Sequence, residues 1–445
     1  MAAKQKTINM TEGNTVRLIL TFSLPMLIGN IFQQLYNFVD SIIVGQFVGA
    51  DALAAIGATG SITFFFFALC NGIGSAGGII TSQFFGEGST DKVKNCIANT
   101  AYIMLVVPIS IGIIAFFAAG PILELLRTPE EIIHDAKVYM RIMCVSLVLV
   151  SAYNFASSML RALGDSKTPL YFLIFSCILN AVLDLIFVFN LHMGVFGAGI
   201  ATLISNFICG TLCLLFAFKT NPYFKMSKSD WKVNPALLGK CVRLGVPLSL
   251  QFSLIAISCM ALQRVVNTFG PVAVAAFTAT SRIEQLIHQP YGTLGTALAT
   301  YCGQNYGAKN KARILEGYRK SMLIMAIFTA IMIPVIQLFG NPITSLFVKK
   351  PEVITMGARA LRITSWFYIF LGIIYVARGV LNGIGDATFA LINGVTEVVG
   401  RFVVPVLLTG VAFIGVWGIW WSVGIVWFLS GLTAWLRYLY MKKKI

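Results

Sequence analysis

Charge is scarce in this chain. Only 11% of its 445 residues are Asp, Glu, Lys or Arg, against 57% hydrophobic residues and a mean hydropathy of +0.82. An ordinary soluble domain carries roughly 25% charged residues, so that class is excluded. Long polar stretches are also missing, which leaves no room for a soluble catalytic domain, and no enzyme is expected. A phosphate loop is absent: Gly86-Glu-Gly-Ser-Thr-Asp-Lys92 lacks the GxxxxGK spacing, so nucleotide hydrolysis is not the energy source and an ion gradient must be. The nine cysteines are scattered, mostly inside apolar runs (Cys70, Cys177, Cys209). They show no metal-ligand spacing and read as reduced packing residues. The first fifteen residues are polar, and no cleavable signal is expected ahead of the first apolar run. No cofactor is expected.

What the chain does have is apolar length. Twelve segments, near 14–46, 53–82, 93–118, 131–161, 168–190, 194–218, 236–267, 273–303, 312–340, 353–382, 388–412 and 415–440, reach the roughly 20 residues that cross a bilayer. The expected fold class is therefore an all-α polytopic membrane protein with twelve transmembrane helices. The net charge of +16 could suggest nucleic acid, but its placement decides otherwise. Of 33 Lys and Arg, 23 fall at one set of segment ends: the N-terminus, the loops near 92, 165, 225, 310 and 380, and Lys442 to Lys444. The opposite ends hold 8, among them Arg127, Lys137, Lys349 and Lys350, while Arg282 and Arg401 lie within spans. By the positive-inside rule both termini are cytoplasmic. The basic balance then serves topology and anionic lipid, not nucleic acid.

The chain is also written twice. Leu24-Pro25-Met26-Leu27 returns as Val246-Pro247-Leu248-Ser249, and Gln83-Phe-Phe-Gly86 returns 221 residues later as Gln304-Asn-Tyr-Gly307. The same offset relates Leu163-Gly164-Asp165 to Ile384-Gly385-Asp386, and Gly194-Val-Phe-Gly197 to Gly415-Val-Trp-Gly418. The expected organisation is an N-terminal lobe over residues 1–220, a cytoplasmic linker over 221–235 and a C-terminal lobe over 236–445. Six spans per copy is an even number, so both copies share one orientation. Such duplicated bundles are a transporter architecture, with the site near mid-membrane.

Two acids stand at membrane depth, where a carboxylate costs at least about 2.5–3.5 kcal/mol and marks an ion or proton path by default. At about 1.5 Å per residue, Asp40 lies roughly 10 Å below the outer end of the first span and Asp184 roughly 9 Å below that of the fifth. Thr202 on the sixth span and Tyr139 on the fourth reach a similar level. Asn180 shares a helix face with Asp184, and Gln33, Tyr36, Asn37 and Asp40 form a stripe on the first span. Two carboxylates, an amide oxygen and a hydroxyl suit a small hard cation such as Na⁺, and close acids in a poorly solvated pocket equally suit a proton. The repeat places Leu262, Arg401 and Pro405 where this set would recur, so only one lobe carries it. The other lobe has Arg282 and Glu284 in its second span and Glu397 and Arg401 in its fifth. These form a charge-compensated network, or one that binds a cationic substrate or relays protons. Gly383-Ile-Gly-Asp386 has the form of an intramembrane protease motif, but its place at a cytoplasmic loop suits a helix terminus and turn.

The stretch Phe32-Gln-Gln-Leu-Tyr-Asn-Phe-Val-Asp-Ser-Ile-Ile-Val-Gly45, the two Gly-Asp copies and Asn180-x3-Asp184 resemble multidrug and toxic compound extrusion (MATE) transporters, over essentially the whole chain. The resemblance implies two six-helix pseudo-symmetric lobes around a central cavity, in a monomer of the cell membrane. Family members exchange external H⁺ or Na⁺ for cytoplasmic cationic or amphipathic organic compounds by alternating access. In the DinF-like branch the coupling residues match Asp40, Asn180, Asp184 and Thr202 here, with Tyr36, Tyr139 and Asn154 at accompanying positions. The NorM-like branch has acids on the seventh and tenth spans. Neither is present here, so no Na⁺ site is expected in the C-terminal lobe. The alternative within the superfamily is a lipid-linked oligosaccharide flippase, which needs an Arg- and Lys-rich cavity for pyrophosphate.

Overall fold

Glycine sets the corners of both copies. Gly49, Gly164, Gly194 and their counterparts Gly270, Gly385 and Gly415, each 221 residues later, all adopt positive φ, a region nearly closed to residues with a Cβ. The fourth such pair is Gly88 (φ 78°) and Lys309 (φ 55°), where the second copy keeps the turn without glycine. The Gly164 and Gly385 corners share their turn bonds. Asp165 N–H reaches Leu160 O and Asp386 N–H reaches Leu381 O, at 2.8 and 2.9 Å. The duplication read from the sequence is thus present in backbone geometry.

A computed structural model describes residues 7–126 and 128–444; Arg127 lies outside the described residues. These residues form thirteen α-helices and no strand. The first copy contributes α1 (Thr15–Phe47), α2 (Ala50–Gly86), α3 (Thr90–Leu125), α4 (Glu130–Ala162), α5 (Lys167–Asp184) and α6 (Gly194–Thr220). The second contributes α7 (Pro235–Asn267), α8 (Gly270–Gly307), α9 (Lys311–Ser345), α10 (Pro351–Ser365), α11 (Tyr368–Gly383), α12 (Ala387–Thr409) and α13 (Gly418–Lys442). Helices α10 and α11 meet at 54° across a short break and, counted together, are long and apolar enough for one span. Ten helices are long and apolar enough to cross a membrane, and the broken pair is an eleventh. The remaining column is α8, 38 residues long, whose apolar run is interrupted by Arg282, Glu284 and His288. The twelve expected spans are all found as helical columns.

Packing repeats as well. In the first copy α2 lies on α3 and α4, α4 on α6, and α5 on α6; in the second α8 lies on α9 and α11, α11 on α13, and α12 on α13. The compact bodies, however, do not follow the halves of the chain. One comprises Leu24–Ser249 with residues 7–9, and so takes in the linker and the first fifteen residues of α7. The other comprises Met10–Ser23 and Leu250–Ile445. Side chains hold these segments in place. In the first body Asn95 donates to the carbonyls of Asp230 and Lys232, and Tyr102 to that of Trp231. In the second, Met10 N–H reaches Gln304 Oε1 at 2.8 Å, Thr15 meets the Tyr301 hydroxyl at 3.0 Å, and Arg313 donates to Gly13 O. The boundaries 1–220, 221–235 and 236–445 therefore describe the duplication, and the packed bodies cut across them.

Candidate functional site

In the first body, α1, α4, α5 and α6 converge on one polar cluster. Asp184 is wholly buried at the end of α5, and its carboxyl and that of Asp40 on α1 face each other within hydrogen-bond range. Each keeps one buried oxygen, Oδ1, with no hydrogen-bond partner. Asn180, one turn before Asp184, turns its amide nitrogen to Asp184 Oδ2 at 2.6 Å and accepts from the Thr202 N–H at 3.1 Å. This orientation gives the carboxylate a donor, which the reverse one does not. The Thr202 hydroxyl donates to Ala198 O at 3.1 Å, with Tyr36 of α1 close beside it. Tyr139 on α4 lies beside both acids.

Directly after Asp184 the helix changes pitch. Leu185–Asn190 is π-helical, and Leu191 N–H reaches back five residues to Ile186 O at 2.9 Å. Such insertions in α-helices concentrate at functional sites, where they re-aim side chains. No sequence signal announced this one.

Six of the eight N-lobe candidates are gathered here: Asp40, Asn180, Asp184, Thr202, Tyr36 and Tyr139. Asn37 is on an exposed face of α1, where its amide donates to Gln34 Oε1 at 3.5 Å. Asn154 lies on α4 fifteen residues beyond Tyr139, about 22 Å along the helix, and is outside the cluster. Two facing carboxylates repel unless a positive particle lies between them. The cluster can therefore hold a proton, or a hard cation on the free carboxylate oxygens with amide and hydroxyl oxygens beside them.

The second body has a polar cluster of opposite character. Glu397 on α12 is shared by two arginines, Arg378 of α11 on Oε1 at 3.2 Å and Arg401 of α12 on Oε2 at 3.6 Å. Asn393 accepts from Arg378 and, at 2.8 Å, from Gln251 of α7. Arg401 also donates to Ser258 Oγ at 3.1 Å and Cys259 Sγ at 2.7 Å. Glu284 lies near Thr364 and feels the Arg401 charge. Arg282 is exposed; two residues from Glu284, it is about 200° round α8, so the expected grouping of those two does not form. Arg378, counted from sequence with a cytoplasmic loop end, is a member that sequence reasoning missed. Asp386 is no catalytic acid of a protease pair. It accepts from Phe389 N–H at 3.4 Å as the cap of α12, and holds Arg437 at 2.7 and 2.9 Å.

Comparison with known proteins recognises each copy separately. The MatE family model matches residues 25–186 and again residues 247–407. This chain belongs to the MatE family. The resemblance read from the first-span motif is thereby borne out, as are the all-helical fold and its two lobes. Among MatE relatives, the chain is 31% identical to the probable multidrug resistance protein YpnP of Bacillus subtilis (strain 168) over 444 residues, covering 99% of this chain and 98% of that one. It is 24% identical to the multidrug export protein MepA of Staphylococcus haemolyticus (strain JCSC1435), over 92% of this chain and 90% of that one. The crystal structure of MATE in complex with MaL6 shares the fold, with a TM-score of 0.93 at 23% identity over 99% of both chains. MatE membership and ten or more apolar spans make this a multi-pass membrane protein.

Proposed function

We propose that this MatE-family protein is a secondary multidrug exporter. It exchanges external H⁺ or Na⁺ for cationic or amphipathic organic compounds of the cytoplasm, with no cofactor beyond the coupling ion. Its relatives, a probable multidrug resistance protein of Bacillus subtilis and a multidrug export protein of Staphylococcus haemolyticus, support the export reading. The charge asymmetry of the loops supports cytoplasmic termini in the cell membrane.

One observation carries the ion coupling: Asp40 and Asp184 face each other at membrane depth, each with an oxygen left unpartnered. A proton or Na⁺ between them removes the repulsion, and its departure restores it. The two acids sit on different helices, α1 and α5, so occupancy biases the position of α1 against the rest of its lobe. An ion that stabilises one arrangement of α1 over the other shifts the transport cycle, and reciprocity requires substrate binding to feel the same coupling, typically about 1–3 kcal/mol. Asn180 and Thr202 set the geometry, and Tyr36 and Tyr139 close the cluster against water.

The test is efflux of a lipophilic cationic dye from proteoliposomes under an imposed Na⁺ gradient and, separately, an imposed pH gradient. One gradient is expected to drive export. Asp40→Asn and Asp184→Asn, checked for folding by thermal unfolding, should lower that export by about 5–150-fold, the range of the coupling energy. Normal export by both variants would refute the site.

A further inference from the structure

The export reading leaves the second cluster without a task, although it is costly to keep. Arg378 and Arg401 share the single carboxylate of Glu397, so one positive charge is left over inside a membrane lobe, where unmatched charge is expensive. A buried Arg–Glu–Arg triad can be purely structural, but then its remaining donors must find acceptors. Here they do not. Nε of both arginines, Asn393 Nδ2 and Gln251 Oε1 are buried without a partner, and Gln251 and Asn393 are 0% exposed. Apart from its 3.6 Å pair with Glu397, Arg401 donates only to a hydroxyl and a thiol, groups that are neutral and, for sulfur, weak acceptors. Glu284 lies near enough to feel the Arg401 charge, but no ion pair joins the two among the described residues. The arginines are not sealed off: each side chain keeps 12% of its surface exposed, and Cys259, against Arg401, is exposed.

We propose that Arg401, with Arg378 behind it, is an anion site that seats the acidic group, a carboxylate or phosphate, of an amphipathic ligand. An oxyanion at Arg401 gains a charge-assisted bond from the free Nε and a further bond from the Ser258 hydroxyl, once that hydroxyl turns towards it. The ligand's source is either a transported amphiphile or a lipid headgroup. Transport of such an amphiphile rests on the export reading; the anion site rests on the cluster alone.

Cys259 reports on the site directly, since among the nine cysteines it is the exposed one. The experiment is alkylation of Cys259 by a thiol reagent, read by peptide mass spectrometry on the full-length protein in phosphatidylcholine nanodiscs with no ion gradient. Octyl phosphate is expected to slow alkylation about tenfold, as one charge-assisted hydrogen-bonded contact allows, and octyltrimethylammonium of matched chain length to leave it nearly unchanged. Arg401→Gln should remove the protection and Arg401→Lys should retain part of it. Discs containing phosphatidylglycerol distinguish the sources: protection there without added ligand identifies a lipid headgroup, and protection only by octyl phosphate identifies a soluble amphiphile. Equal protection by the two octyl compounds, or full protection in Arg401→Gln, would overturn the proposal. Should Arg401→Gln fail to fold, Arg378→Gln serves in its place, and full protection there overturns it equally. Efflux is not used, so failure of ion coupling and failure of the anion site are separate results.

Discussion

The two lobes share corners, helix pairings and a 221-residue offset, yet their polar centres carry opposite charge. The first brings two acids together with no basic side chain beside them among the described residues; the second brings two guanidiniums onto one carboxylate. A short pattern makes the contrast sharper. Asn-x3-acid occurs at Asn180/Asp184 and at Asn393/Glu397, but relative to the repeat the second copy stands eight residues, about two turns, nearer the start of its helix. In the first lobe the amide serves the acid as a donor. In the second, amide and acid both serve Arg378. The fold fixes where helices run, and the side chains placed on it decide which sign of charge each lobe can receive.

The largest effect expected from this contrast concerns what each acid is worth to stability. Glu397→Gln leaves two buried guanidiniums without their anion and should cost about 3–5 kcal/mol. Asp184→Asn relieves a repulsion and should leave stability unchanged or raised. Thermal unfolding in detergent compares them, and equal losses would erase the difference between the lobes. Next come the Gly-Asp corners. Asp165 accepts from Lys167 and Thr168 N–H at 3.1 and 3.0 Å, whereas Asp386 caps its helix and also holds Arg437. Asp165→Ala should cost about 1 kcal/mol as a lost cap, and Asp386→Ala roughly twice that because a bidentate pair goes too. Equal unfolding shifts would mean that the Arg437 pair is idle. The smallest effect is at the Gly88/Lys309 corner. Lys309→Gly relieves a left-handed strain of about 1–2 kcal/mol but loosens the unfolded chain, for a net gain under about 1 kcal/mol, while Gly88→Ala should lose a similar amount. A loss on Lys309→Gly would show that the side chain, not the backbone, holds that turn.

Much of this was legible in the sequence because hydrophobic length and repeat spacing are local signals. The twelve columns and the Gly-Asp corners follow from them, as does the meeting of Asp40 with Asp184, whose depths can be counted from the helix ends. What escaped notice depends on tertiary placement. Arg378 is five residues from the end of α11, near enough to a loop to pass for a topology signal, and only packing against α12 makes it a partner of Glu397. Arg282 and Glu284 look paired on paper, yet helix geometry sets them on opposite sides. Asn154 matched a family position but not this cluster. The π segment after Asp184 is a hydrogen-bond choice that no residue in Leu185–Asn190 advertises. The division into bodies also escaped, because contacts far apart in sequence decide it.

That division has a consequence for biosynthesis. Met10, Gly13 and Thr15 are made nearly 300 residues before their partners Gln304, Arg313 and Tyr301. At about 5–20 residues per second, the start of α1 waits roughly 15–60 s for the body it belongs to. The first body is likewise incomplete until Ser249 has been made. Neither lobe can be finished before the other is begun, so the duplicated halves mature as one unit.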